Sequence, residues 1–354
     1  MPRETDISVQ ELRETEYDEW NDLVSRSPDG SIFSLPQYLE ILCRAAGGRF
    51  SLLGVRWGGE LAGGVALYES DSRYGPHVSP RHLLSYNGIV LRRYETKYPS
   101  QQSARHVKIM SVMVEAIARR GFARVTLNCC SSITDLRAFL EAGWSASPYY
   151  TYIVPISDLD QIWSRIERNL RRLIARCEKE GVTVTDDDDF EACYRMHANT
   201  MNRKGLGPYL PESAFRGYFE TLRAEDLCRL FHARLPDGRP IATQLVLLGP
   251  SPVTHTVTAA TDPEFQRIGV TAFLRWKAFE ALSALGFSGN DLTGAGLDSV
   301  THFKSQLGGD LRLFLVLNSP RTLRNRLGSG IEALYRRSRI ALEKSARRFG
   351  LKTT

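Results

Sequence analysis

The chain lacks the features that mark several large classes of protein. Its six cysteines in 354 residues have neither the density nor the spacing of a disulfide framework, and its seven histidines form no HExxH or similar metal-ligand pair. No run approaches the roughly 18 apolar residues of a membrane span, and the polar, acidic start has no signal-peptide centre. The nucleophile elbow G-x-S-x-G is missing. These absences favour a reducing, cytoplasmic location and a chemistry without metal or covalent nucleophile.

Positive charge is concentrated at the end of the chain. The 34 residues from Arg321 onward hold ten Lys or Arg against Glu332 and Glu343, a charge of +8, so the rest carries −2 of the total of +6. We predict a basic amphipathic helix over residues 321–349 that binds an anionic surface or a polymer such as RNA, and binding to an anionic bilayer would place the protein peripherally at the inner face of the membrane. Packing of its apolar side against the protein body is the alternative.

Two regions of the chain repeat. Residues 114–144 align without gaps with residues 279–309, and the hairpin-like stretch 51–69 corresponds in the same order to 229–249. Because solenoid repeats have periods of roughly 20 to 50 residues, an offset this long indicates a duplicated domain. Apolar stripes at helical spacing alternate with strand-like runs in each copy, which predicts α/β (α+β) architecture with a mixed sheet flanked by helices.

The duplication divides the chain into three predicted parts. These are a degenerate first domain over 1–156, a second domain over 157–320 that carries the site, and the basic C-terminal segment 321–354. Gly121 and Gly286 follow the long helix of each copy, where a residue that tolerates the left-handed conformation is expected.

Several segments resemble the Fem-type family, which comprises aminoacyl-tRNA-dependent peptidyl transferases and related GNAT-like proteins of cell-envelope and exopolysaccharide gene sets. The resemblance covers about residues 17–317, and its most specific element is Phe303 and Lys304 followed by Gly308 and a closing strand. It implies two tandem GNAT-like domains. The other matching segments are WNDLVSRSPDGSIFSLPQYLEIL (20–42), FLEAGWSASPYYTYIVPIS (139–157) and RNLRRLIARCEKEGVTV (168–184).

The donor has a possible signature at one helix start. GNAT enzymes hold the pyrophosphate of acyl-coenzyme A on backbone amides in a Q/R-x-x-G-x-G/A loop. Gln266, Arg267 and Gly269 match this pattern, but Thr271 replaces its last small residue, and the first copy has Ala104 in place of the glycine. An ordinary helix start is the rival interpretation. We assign these three residues and Phe303 to donor binding, although Phe303 also suits a core position.

Lys304 and Asp291 are the catalytic candidates. Lys304 corresponds to Phe139 in the first copy, so this helix became cationic in one half only, and a fixed cation can stabilise an oxyanion or a donor phosphate. Asp291 corresponds to Thr126 and can orient or deprotonate the attacking amine. A surface lysine and an aspartate that caps the following turn are the competing interpretations.

The acceptor is assigned to the loop at 202–210. Arg203, Lys204 and Tyr209 offer cations and an aromatic ring that suit a phosphorylated sugar or nucleotide, although a polar connecting loop is the default. The acidic run 186–189 is interpreted as a solvated turn because its carboxylates lack regular metal-ligand spacing.

Three functions fit these observations. The first is transfer of an amino acid from aminoacyl-tRNA to a peptidoglycan or polysaccharide precursor, and the second is an acyl-CoA-dependent N- or O-acyltransferase in exopolysaccharide or lipid biosynthesis. The third is a non-catalytic scaffold that binds a glycan or lipid. The partners expected are therefore charged tRNA or acyl-CoA and an envelope precursor, with no tightly bound cofactor.

Overall fold

A computed structural model describes residues 7–297 and 299–320. The predicted basic helix at 321–349 lies outside the described residues. None of the helices in the described ranges is long and apolar enough to span a bilayer. The strands are β1 (Ile7–Glu11), β2 (Arg49–Trp57), β3 (Glu60–Ser72), β4 (Gly75–Val78), β5 (Ile89–Leu91), β6 (Arg124–Asn128), β7 (Ser145–Pro155), β8 (Thr183–Asp186), β9 (Cys228–Arg234), β10 (Pro240–Leu247), β11 (Val253–Thr261), β12 (Gly289–Asp291) and β13 (Asp310–Asn318).

The helices alternate with these strands as the sequence periodicity predicts. In the long helix of the first copy, every buried residue belongs to one apolar stripe that includes Met110, Met113 and Ile117. Positive φ angles at Gly121 and Gly286 end the two long helices, which confirms the predicted stop signals. The helices are α1 (Tyr17–Arg26), α2 (Pro36–Ala46), α3 (Pro99–Arg119), α4 (Arg137–Glu141), α5 (Leu159–Arg165), α6 (Arg168–Lys179), α7 (Phe190–Arg203), α8 (Glu212–Ala224), α9 (Val270–Ala284) and α10 (Ser299–Ser305).

The two halves have the same strand order. Within the described residues, one 13-stranded sheet runs β1-β2-β3-β4-β6 from one edge and β8-β9-β10-β11-β12 from the other, with β5 beside β3. In both halves the hairpin is antiparallel, β2 with β3 and β9 with β10, and the last step is parallel, β4 with β6 and β11 with β12. The predicted equivalence of the two hairpins is therefore confirmed.

The final strands of the halves are exchanged. β7, which ends the first half, pairs with β12 and β13, whereas β13, which ends the second half, lies between β6 and β7. Each half therefore completes its sheet with a strand from the other. A cut after residue 156 would not release two independent sheets, because β7 lies inside the second half.

Three large cores hold the sheet and its helices together. One lies under α3 in the first half and one under α9 in the second. The third spans both halves, where residues of α1 and α2 pack with residues of α8. A hydrogen bond of 2.9 Å joins the hydroxyls of Tyr38 and Tyr218 across this junction. The shared core fixes the halves against each other, so side chains from both can contribute to one site.

The acidic run 186–189 leads into α7 with Asp186 and Asp188 exposed, as predicted for a solvated turn, and its carboxylates are also ion-paired. Asp186 and Asp188 pair with Arg223, and Asp187 and Asp189 pair with Arg234 at 2.8 and 3.0 Å. Asp189 also caps α7 by accepting a hydrogen bond from the backbone of Ala192. The carboxylates are thus committed to arginines.

Acid should weaken this cluster through Asp187. Burial alone would raise the pKa of Asp187, but hydrogen bonds from Thr185, the Asp189 backbone and Arg234 outweigh burial and lower the pKa to about 2. A depressed carboxyl pKa stabilises the fold above the ordinary value of about 3.9, and that stabilisation is lost as pH falls toward 2. We expect Asp187→Asn to lower the melting temperature above pH 4.

The melting temperatures of wild type and Asp187→Asn should converge as pH approaches 2. Asp160→Asn, which changes an exposed carboxylate, is the control and should follow the wild-type curve. A gap between wild type and Asp187→Asn that stayed constant from pH 6 to pH 2 would contradict the assignment.

Candidate active site

The parallel pairing of β11 with β12 places His255 beside Asp291 in register. Asp291 is only 1% exposed, and hydroxyl groups of Thr151 and Tyr86 donate to its two carboxylate oxygens at 2.5 and 2.7 Å. The backbone N–H of Thr293 donates to the same carboxylate at 2.8 Å. Nδ1 of His255 lies 3.4 Å from it, close enough for electrostatic pairing but not aligned for a direct hydrogen bond. Residues of both halves therefore converge on one buried carboxylate.

The charge of Asp291 is stabilised by its neighbours. Burial alone would raise the pKa of Asp291, but His255 and the hydroxyls of Thr151 and Tyr86 outweigh burial and lower the pKa. Burial and the nearby carboxylate raise the pKa of Tyr86 well above its ordinary value. At neutral pH the carboxylate is ionised and the phenol is protonated, so Asp291 serves as a buried anionic anchor. The hydrogen bond from Thr293 is the turn-capping contact that the competing interpretation describes.

His255 and Tyr86 are the residues that sequence analysis missed. His255 is 5% exposed, and its ring packs against Phe33 and Tyr86 with centroids 4.9 and 5.7 Å apart. Its Nε2 atom is buried and has no hydrogen-bond partner among the described residues. Its Nδ1 atom also lacks a hydrogen-bond partner there, so the ring is beside the carboxylate without a direct hydrogen bond to it. The sequence signal for His255 was weak. It consisted of the polar residues of the stretch THTVT (254–258) in one strand and an aspartate, Asp291, at the end of the next strand.

Lys304 lies beside the loop that follows β12 and Asp291. Its ammonium donates hydrogen bonds of 2.7 Å to the backbone carbonyls of Thr293 and Gly294, just beyond the end of β12. Phe303 and Leu307 pack into the core of the second half and anchor α10, so Phe303 takes the core position that was the alternative to donor binding. Phe139, the counterpart in the first copy, is buried against Trp144. The structure thus brings Lys304 and Asp291 to one loop, with Asp291 buried and not at an opening. Stabilisation of reacting charge by Lys304 stays a prediction.

The donor candidates Gln266, Arg267 and Gly269 lie at the start of α9. Gln266 and Arg267 are exposed on a short 3-10 helix, and Gly269 follows it in the left-handed conformation with φ of 87°. The N–H groups of Ala272 and Phe273 bond to the Gly269 carbonyl, and no side chain caps the helix. Most other helices of the described residues also start without a side-chain cap, so the contacts at the start of α9 leave donor binding there a prediction.

Gly269 also has a packing role. A methyl group at this position would lie 2.4 Å from Cβ of Leu173 in α6, on top of the unfavourable φ. We expect Gly269→Ala to lower the free energy of unfolding by about 2 to 4 kcal/mol, combining left-handed strain with overpacking. Urea denaturation would measure the loss.

Gly286→Ala is the matched control for Gly269→Ala. Gly286 has φ of 91° with open space around its Cβ position. Gly286→Ala should therefore lower the free energy of unfolding through left-handed strain alone, by about 1 to 2 kcal/mol. Equal losses in the two variants would show that the contact with Leu173 adds nothing.

The acceptor candidates are divided between two environments. Arg203 and Lys204 are exposed at the end of α7. Tyr209 is half-buried and stacks on His82 of the first half, with ring centroids 4.2 Å apart. Its backbone N–H donates to Nε2 of His197. Tyr209 thus closes the junction between the halves, while the two cations face solvent, and none of these contacts reaches Asp291.

The mixed sheet flanked by helices is a GNAT-like fold, and the match of one domain family supports an acyltransferase. Residues 164–305 match the acetyltransferase (GNAT) domain family, which covers α6 through α10 and contains both Asp291 and Lys304. This supports an enzyme over a non-catalytic scaffold. No curated protein sequence matches the chain.

Solved structures resemble the whole chain in fold. FemX is 15% identical with a TM-score of 0.66, and the alignment covers 92% of this chain and 100% of FemX. A tandem GNAT protein from the clavulanic acid pathway is 12% identical with a TM-score of 0.54 over 90% and 99% of the two chains. The C-terminal domain of a putative lysylphosphatidylglycerol synthetase from Agrobacterium fabrum is 13% identical with a TM-score of 0.53 over 86% and 92%. At these identities the likeness shows the fold alone.

Proposed function

We propose that the protein transfers an aminoacyl group from charged tRNA to a cell-envelope precursor. The observation that carries the proposal is the likeness to FemX over that protein's entire length, since an alignment that covers 92% of this chain includes both of its halves. The Fem-type resemblance of the Phe303 and Lys304 segment supports the same substrate class. The likeness to a putative lysylphosphatidylglycerol synthetase also suits an aminoacyl donor and an envelope acceptor.

The site offers groups for this chemistry. An acceptor amine attacks the aminoacyl ester carbonyl, so a C–N bond forms, the C–O ester bond breaks, and the amine proton passes to the departing 3′ oxygen of the tRNA. His255 can carry that proton, and the Asp291 carboxylate 3.4 Å from its Nδ1 can stabilise the imidazolium that forms. The ammonium of Lys304 supplies positive charge beyond the end of β12, where it can stabilise the oxyanion.

A donor-consumption assay tests the proposal. Purified protein is incubated with a cell-envelope extract and either a charged-tRNA mixture or acetyl-coenzyme A. We expect deacylation of charged tRNA that depends on the extract, with the amino acid appearing in envelope material, and Lys304→Ala as the inactive control. Consumption of acetyl-coenzyme A alone would replace the proposal with the acyl-CoA alternative.

A further inference from the structure

An apolar surface lies open in the middle of the sheet. Leu313 of β13 is directly opposite Tyr150 of β7, and Leu311 lies two residues earlier on the same face. Leu313, Tyr150 and Leu311 are 46%, 43% and 53% exposed. Leu297, which is fully exposed, extends this surface, because the N–H of Ala295 two residues before it donates to the Tyr150 carbonyl at 2.7 Å. We call Tyr150, Leu297, Leu311 and Leu313 the open patch.

The same face of the sheet is covered on both sides of the open patch. Leu317 of β13 points to this face and belongs to the core under α3, and Val154 of β7 belongs to the core under α9. The opposite face is occupied as well, since Thr151 reaches Asp291 there. A sheet normally buries its apolar face against another layer, and exposed apolar patches mark places where something binds. The open patch is therefore a gap in the helical layer.

The chain itself continues from the edge of this gap. β13 carries Leu311 and Leu313 and leads to Pro320, where the described part of the chain ends. A Cβ atom at Gly143, just after α4, would lie 3.6 Å from the ring of Pro320. The residues that follow Pro320 include apolar side chains at helical spacing, which are Ile331, Leu334, Tyr335, Leu342 and Phe349.

The segment after Pro320 is long enough to return to the open patch. The seven residues from Leu313 to Pro320 cover about 24 Å along the strand. Residues 321–330 span up to about 33 Å when extended, so Ile331 can lie back over Leu313. A helix over residues 331–349 would be about 28 Å long, which is enough to cover the open patch.

We propose that the apolar side of residues 331–349 docks on the open patch of the same molecule. A helix about 10 Å across can fit between α3 and α9, whereas a flat bilayer would meet those helices before it reached the sheet. The short connection gives the segment an effective concentration in the millimolar range, which favours it over the same segment of a second copy. Its charge of +8 is attracted by the −2 of residues 1–320. The docked segment then lies beside the loop of Lys304 with its basic side toward solvent.

Limited trypsin digestion of the full chain, followed by mass spectrometry, tests this docking. The digestion compares two groups of arginines, Arg321, Arg324 and Arg326 in the connection and Arg336, Arg337 and Arg339 in the segment. We expect cleavage in the segment to be about tenfold to hundredfold slower than in the connection, because a docked helix must open before a protease can bind it.

The variant with both Leu311→Ser and Leu313→Ser removes half of the open patch. Cleavage in the segment should become about tenfold faster, with little change in the melting temperature, since both leucines are about half exposed. Leu334→Ser should have the same effect on cleavage from the other side of the contact. Leu285→Ser is the matched control, because it changes a leucine that is 51% exposed at the end of α9, and it should be cleaved like wild type.

Four results would overturn the inference. Two of them are rapid cleavage of the segment in wild type and equal protection in wild type and the double variant. The third is protection that increases with protein concentration, which would identify a second copy as the partner. The fourth is protection that appears only with phosphatidylglycerol vesicles, which would identify a bilayer. No substrate is used, so these results are independent of the donor-consumption assay.

Discussion

Lys304→Ala is expected to lower turnover about 100- to 1000-fold while the protein stays folded, because that is the usual effect of losing one preorganised charge-stabilising group. The lysine carries its charge next to the carbonyls of Thr293 and Gly294, in the loop that follows the buried Asp291. Steady-state transfer with the donor identified by the consumption assay measures the effect, and circular dichroism reports the fold.

Lys304→Arg distinguishes the two roles that the contacts allow. If Lys304 only ties α10 to the loop, arginine can donate to the same carbonyls, and both stability and turnover should return. If a compact charge at the reacting atoms matters, stability should recover and turnover only in part, since a planar fork does not replace a point charge. Near-normal turnover of folded Lys304→Ala would assign the lysine a structural role alone.

Asp291→Ala is expected to lower the free energy of unfolding by about 3 to 5 kcal/mol, because it leaves buried donors without their acceptor. Thr151, Tyr86 and the Thr293 backbone all donate to this carboxylate. Asp291→Asn keeps one acceptor oxygen and should lower the free energy of unfolding by about 1 to 3 kcal/mol. Its new NH2 group faces a hydroxyl that donates in the wild type and would have to rotate to accept a hydrogen bond. Urea denaturation measures both losses.

The exposed Asp160→Ala is the control for Asp291→Ala and should stay within about 0.5 kcal/mol of wild type. The pH dependence provides a further check. Because the pKa of Asp291 is lowered, its stabilisation is present above the ordinary carboxyl value and is lost only as pH falls through the lowered one. The gap between wild type and Asp291→Asn should persist at neutral pH and shrink in strong acid. A gap that grew on acidification would contradict an ionised Asp291.

Much of the fold could be predicted because its signals are local. The apolar stripe of α3, the glycines after α3 and α9, and the two hairpins each depend on residues close in the chain. The ungapped offset between the copies then implied the same strand order twice. Periodicity and turn residues carry this information without any knowledge of distant contacts.

The site was predicted only in part. Lys304 and Asp291 stood out because the duplication offered Phe139 and Thr126 for comparison, and the structure does bring them to one loop. His255 had no such contrast or motif, and its place beside Asp291 arises from a parallel pairing of strands 36 residues apart in the chain. The ion pairs of the acidic run 186–189 could not be predicted, because its arginine partners are distant in sequence.

The sequence by itself determined a duplicated α/β chain, the identity of its helices and hairpins, and a cationic α10 in one copy only. The tertiary structure alone decided that β7 and β13 are exchanged and that Tyr86 and Thr151 meet Asp291. The reason is physical: periodicity determines which face of an element is buried, whereas strand partners and buried charges depend on contacts between residues far apart in the chain.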